Sequence, residues 1–200
     1  MSALDRVATR WDLLRHTFYR RWVDGTLTRA ELADYAEQYA YVVAGLPRWL
    51  KAADGGSGRL QKHVDEEISH VELWDRFRDV VGGQPDAVPN CTTENLVAMC
   101  DSLAQAGHGL AVAWAIEVQA PAVAKEKLAG LAEHYSIDSK SGGQYFEIHS
   151  WQDLTHASEL RHEITEKSPD FAVADLAAAE AVSAGMWALL SSVEARAHPS

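Results

Sequence analysis

Apolar residues recur along this chain at steps of three and four, and nowhere in the strict alternation that marks a strand. Leu4, Val7, Trp11, Leu14, Phe18 and Trp22 share one face of a first helix by this spacing. Asp24-Gly25 ends it. Thr28 and Glu31 have capping-box spacing and open a second helix, carrying Leu32, Tyr35, Ala36, Tyr39, Val42 and Val43, with Pro47 bending it near its end. After Gly55-Gly56-Ser57-Gly58, a third helix spans about 59–81 and stops at Gly82-Gly83. Pro85 and Pro89 mark a loop. A fourth helix covers about 93–105, and a fifth about 109–135 with a bend at Pro121. A sixth follows Ser141-Gly142-Gly143 and reaches about Glu166. Ser168 as cap and Pro169 at the first helical position open a seventh, running to about Ala195. No alternating Val/Ile/Thr run lies between Asn-Gly or Asp-Gly turns. The expectation is therefore all-α: one seven-helix bundle over residues 1–200, without internal repeats or a linker that would split it.

Charge and cysteine content narrow the class of function. Acidic residues outnumber basic ones by 29 to 18, a formal charge of −11, so long-range attraction to phosphate backbones is absent and nucleic acid is not expected as a partner. Cys91 and Cys100 are the only cysteines; their spacing matches no zinc motif, and a reducing, cytoplasmic setting is the simplest reading. They are expected as small core residues. The N-terminal stretch lacks the apolar core of a signal peptide, no apolar run approaches the roughly 20 residues that span a bilayer, and no membrane association is expected.

Three helices carry carboxylates and imidazoles where a core-facing stripe would be apolar. On the sixth, His149, Asp153 and His156 sit at i, i+4 and i+7, within an arc of roughly 60°. On the third, Glu67 and His70 form Glu-x-x-His, with Glu66 and His70 as the i, i+4 alternative. Glu-x-x-His projecting inward is the arrangement of carboxylate-bridged dimetal bundles. The fifth supplies Glu117, the one charge between Gly109 and Ala124. A carboxylate in so apolar a stretch is buried, and a buried charge needs a partner or a metal. Together these are three imidazoles and three carboxylates, suited to iron or manganese, with zinc possible on ligand type alone. His63, one turn from Glu67, either supports the ligands from behind or lies on the surface.

With these residues in view, the chain resembles the haem-oxygenase-like dimetal oxidases, a superfamily that also holds TenA and PqqC-like proteins. The likeness covers roughly residues 13–160 and rests on three segments: HTFYRRWVDGTLTRAELADYAEQYAYVV, AIEVQAPAVAKEKLAGLAEHYSI and YFEIHSWQDLTHA. Within the superfamily it is most similar to the group of the Chlamydia protein associating with death domains and its bacterial relatives, implicated in a folate-related route to para-aminobenzoate. Thr17 stands where that group has proline, Ala40 where it has one of a tyrosine pair, and Ser136 where glycine is usual. The gap between the third-helix Glu and His is shorter than in the chlamydial protein.

The resemblance implies two iron ions or an iron/manganese pair, molecular oxygen, an external reductant delivered by an electron-donor partner, and a possible homodimer. It also implies a self-sacrificing reaction. The ring of Tyr19 is oxidised and cut from the backbone, Lys127 donates nitrogen, and Tyr35 is a second tyrosine near the site. The alternatives are a dimetal oxygenase acting on a diffusible amine or amino acid by N-oxygenation or C–C cleavage, a TenA-like hydrolase with a cysteine nucleophile, and a non-catalytic binding module.

Overall fold

The structure, a computed structural model, describes residues 2–166 and 169–197, and the side chains of all of these except 169–172. Among the described residues it has ten α-helices and no strand. The seven expected segments are where the periodicity puts them, but three are broken inside. The first is α1 (Ala3–Arg10), a 3-10 turn (Leu13–Arg15) and α2 (Thr17–Val23). Two side chains end the helical ladder there. Asp12 accepts from the Leu14 N–H, and His16 Nδ1 accepts from the Phe18 N–H at 3.0 Å, so His16 caps α2.

α3 (Arg29–Asp54) starts on the capping box: the Thr28 hydroxyl accepts from the Glu31 N–H and the Glu31 carboxylate accepts from the Thr28 N–H. It runs through Pro47 to Asp54. α4 (Gln61–Val81) ends at Gly82 in the left-handed region, and α5 (Cys91–Leu103) is capped by Asn90. The fifth expected helix divides into α6 (Gly109–Glu117) and α7 (Ala120–Tyr135), because Pro121 has no N–H to return to the preceding turn. The sixth divides into α8 (Gln144–His149) and α9 (Gln152–Thr165). There the turn tightens, and the Trp151 N–H bonds the Ile148 carbonyl three residues back. α10 is Pro169–Ala197; the expected Ser168 cap lies outside the described residues.

α6 is apolar all round apart from its last residue, and all nine of its residues are buried. It is wrapped by α3, α9 and α10, while α4 lies along α3 and meets α8. Glu117, α4 and the α8–α9 pair are thereby brought to the middle of the bundle. Trp22, Trp49, Trp74 and Trp114 fill the core around them. Within α10, Val173–Ala197 is long and apolar enough to cross a membrane by length and composition, which corrects the expectation that no run approaches that length. Its many alanines raise the hydropathy, and Ala178, Ala179, Val182, Leu189, Leu190 and Val193 are packed in the core.

Candidate metal centre

α4 turns His63, Glu67 and His70 into the bundle, all buried. Facing them are Glu117 at the end of α6, His149 at the end of α8, and Asp153 and His156 on the first turns of α9, also buried. The break between α8 and α9 does not separate the last three, since His149 Nδ1 lies 2.8 Å from Asp153 Oδ2. Glu66, the alternative to Glu67, points to the rim. Its side chain is 27% exposed, 3.1 Å from His156 Nε2 and 3.4 Å from Lys62 Nζ. Glu67 is fully buried and meets His70 Nδ1 at 3.0 Å.

Each of the four central imidazoles has a carboxylate beside it: His63 with Glu117 (2.8 Å), His70 with Glu67, His149 with Asp153, and His156 with Glu66. Even so, Glu67 Oε2, Glu117 Oε2, His149 Nε2, Asp153 Oδ1 and His156 Nδ1 are buried with no hydrogen-bond partner. One such atom costs about 1–3 kcal/mol. Five in one place form a donor set that could hold a cation. Six of the seven side chains fall into two groups whose ligand atoms lie within 4.8 Å of one another: His63, Glu67, Glu117 and His156 in one, and Glu67, His70 and His149 in the other; Asp153 falls in neither, with Oδ2 2.8 Å from His149 Nδ1 and Oδ1 3.7 Å from His156 Nδ1. Glu67 belongs to both. Nitrogen and oxygen donors without thiolate fit iron or manganese, and the buried orphaned atoms fit a pair of ions.

The electrostatics agree. Burial, then the negative charges of Asp153 and Glu67, push the Glu117 carboxyl well above the usual range. Burial also acts to raise Glu67, but the His70 hydrogen bond and the charges of His149, His70 and His63 outweigh it and leave Glu67 low. Burial acts to lower His149, yet the Asp153 hydrogen bond and charge raise it. Burial lowers His63 and His156. Three carboxylates in one dry space repel unless protons or cations are shared among them.

Beside the centre lies an aromatic box around Lys127. The Nζ atom is 4.6–5.6 Å from the ring centres of Tyr35, Tyr19, Phe146, Tyr39 and Trp22. It donates a hydrogen bond to the Tyr35 hydroxyl, which is 3.3 Å from that of Tyr19. Burial pulls the Lys127 amine well below its ordinary value, and raises the Tyr19 and Tyr35 phenols. A cavity of about 30 Å³ joins box to centre, with Tyr19, Tyr39, Lys127, Tyr145 and His149 in its wall. Tyr145 stacks on His149 with ring centres 4.1 Å apart.

The cysteines stand apart from this site. Cys100 is buried, and burial pushes its thiol up to about 12; Cys91 is exposed rather than in the core, because it opens α5 at the surface. Neither lines the cavity. Sequence reasoning left His63 undecided because Lys62 and Asp65 flank it like a surface segment. It passed over Tyr39 and Tyr145, which look like core aromatics, and no local signal distinguishes them.

A sequence profile described as an iron-containing redox enzyme matches residues 33–192, and the chain belongs to this haem-oxygenase-like family. Among its relatives, the 4-aminobenzoate synthase of Nitrosomonas europaea is 31% identical, over 95% of this chain and 89% of its own length. That of Chlamydia pneumoniae is 30% identical, over 96% and 93%. The fold is shared with a domain of unknown function from Shewanella denitrificans with a heme oxygenase-like fold (TM-score 0.82, 20% identity, 96% of this chain and 90% of that one). It is shared too with a TenA homolog from Pseudomonas syringae pv. tomato (TM-score 0.78, 13% identity, 96% and 90%).

Proposed function

We propose that this chain is a dimetal, oxygen-dependent oxidase that makes 4-aminobenzoate from its own Tyr19, with Lys127 as the source of nitrogen. The observation that carries the reading is Lys127: a buried amine with no carboxylate beside it, 4.8 Å from the centre of the Tyr19 ring. Glu67, His70, Glu117, His149, Asp153 and His156 would hold two iron ions or an iron/manganese pair. Glu66 acts from the rim through its contact with His156. With molecular oxygen and an external electron donor, such a pair supplies the oxidising power to break an unactivated C–C bond, which acid–base side chains lack.

The product dictates the bonds. 4-Aminobenzoate carries one carbon and, para to it, one nitrogen. Tyrosine carries Cβ and the phenol oxygen at those positions. The Cα–Cβ bond of Tyr19 therefore breaks, Cβ is oxidised at the expense of molecular oxygen to the carboxylate carbon, and the Lys127 Cε–Nζ bond breaks as its nitrogen replaces the phenol oxygen, which leaves as water. The chain's own residues prepare this. Burial pulls the Lys127 amine well below its ordinary value, which favours the neutral form whose lone pair can bond to carbon. Its hydrogen bond to Tyr35 uses a proton, not that lone pair. Phe18, Trp22 and Tyr35 pack around the Tyr19 ring and keep bulk water out. The cavity beside them is lined by Tyr19 and Lys127 themselves, which places the chain's own ring and amine together. The unpaired Cys91 and Cys100 are in keeping with a cytoplasmic setting.

The test is one anaerobic loading with Fe(II), exposure to oxygen with reductant, and intact-mass analysis beside product quantification. The expected result is one 4-aminobenzoate per chain at most, with permanent mass loss mapped to Tyr19 and alteration at Lys127. Many products from an unaltered chain would overturn the self-sacrificing reading in favour of an oxygenase acting on a free amine.

A further inference from the structure

We infer that His63 is a seventh ligand, and that the metal centre is built from two copies of one motif facing each other in opposite directions. This rests on the reading that the centre holds two ions. α4 carries His63-x3-Glu67-x2-His70, and α8–α9 carries His149-x3-Asp153-x2-His156. Both are imidazole, carboxylate and imidazole at i, i+4 and i+7, the spacing that puts all three on one helical face. The first histidine of one motif meets the last of the other. The His63 and His156 rings are 3.7 Å apart centre to centre, and the His70 and His149 rings 4.6 Å. Glu67 and Asp153 occupy the middle position of each motif, both completely buried.

Each ion then draws one imidazole from each motif. Glu117, which has no counterpart, breaks the symmetry. It lies in the group with His63, Glu67 and His156, whereas Glu67, His70 and His149 form the other; Asp153 sits between His149 and His156 and falls in neither. The half with His70 and His149 faces the reacting residues: His149 lines the cavity shared with Tyr19 and Lys127, and His63, Glu117 and His156 do not. His63 thus completes the half turned away from Tyr19. A solely supportive role is the competing explanation, since His63 Nε2 is 2.8 Å from Glu117 Oε1 and could simply orient that carboxylate.

The unmodified chain decides between them. With ¹⁵N-labelled histidine and Zn(II) as probe, ligation predicts that His63 Nε2 takes the shift of a metal-bound, unprotonated nitrogen. A protonated Nε2 in the chain carrying two Zn(II) overturns the inference while leaving the two-ion reading intact. His63→Gln keeps an N–H for Glu117 but removes the imidazole. It is expected to retain about one Mn(II) per chain where the unmodified chain holds two, with the spin-coupled Mn(II) pair replaced by an isolated six-line spectrum. Two Mn(II) at unchanged affinity in His63→Gln would also overturn it. An unmodified chain that holds no pair removes the two-ion reading and this inference together.

Discussion

Two of the polar groups buried in this bundle are finished differently. Between α3 and α5, Gln38 accepts from the Asn90 N–H and the Thr93 hydroxyl and donates to the Val88 carbonyl. Asn90 accepts from the Thr93 N–H and donates to Ser192. Every atom of that network is used. In the centre between α4, α6 and α8–α9, five buried atoms are not. The ionisable groups of the centre cost more per atom to desolvate than the neutral amides and hydroxyls of the first network, so the costlier set is the one left with unmatched atoms. A network that closes on itself fastens a loop to a helix. One that leaves buried donor atoms unmatched has the makings of a metal site.

The sharpest way to break this contrast is Glu67→Ala, which removes the donor common to both halves. Metal affinity is expected to fall by at least about a hundredfold and 4-aminobenzoate formation to vanish, read by metal analysis and product quantification. Gln38→Ala is the matched change in the closed network. Its cost is about 2–3 kcal/mol, or a drop in Tm of about 4–12 °C, with metal content unchanged; a lost metal site in this variant would erase the distinction. Saturating Mn(II) at about a hundred times its Kd should raise Tm by roughly 5–10 °C, from about 2.7 kcal/mol of linkage. Gln38→Ala should keep that rise and Glu67→Ala should lose it.

Lys127 sharpens the comparison from the apolar side. Its folded value lies below its ordinary one because of burial. Between the two, the unfolded chain holds a proton that the folded chain does not, so this site's contribution to stability rises with pH. Lys127→Met should therefore raise Tm by a few degrees, more at neutral pH than near pH 10, while abolishing amination. An equal gain at both pH values would show that the amine is not held neutral. The smallest effect is expected at Ser136, the one non-glycine among the described residues with positive φ, at 58° on the C-terminus of α7. Ser136→Gly should stabilise by about 1 kcal/mol, or 2–4 °C on a thermal melt, with metal content and product unaffected.

Much of the site could be read from residues alone because its signals are local. A lone Glu117 in an apolar helix, and imidazoles and carboxylates at helical spacing, need no knowledge of neighbours. The position of Glu67 rather than Glu66 did need it. Adjacent residues on a helix differ by about 100° in direction, and only the packing of α4 on α3 and α8 says which one is inside. The break at Trp151 carries no proline or glycine to announce it. The Lys127 box draws its rings from α2, α3 and α8, so in sequence they read as separate stripes of core aromatics.

What the order of residues determined by itself is the set of helices and the face on which each donor stands, because a period of 3.6 is a property of neighbouring residues. Which faces meet is another matter. His63 opposite His156, Glu67 between two groups, and Lys127 above the ring of Tyr19 are contacts between residues tens of positions apart. They exist only because burying the apolar sides of α4, α6, α8 and α9 against one another leaves a single way for their polar residues to point.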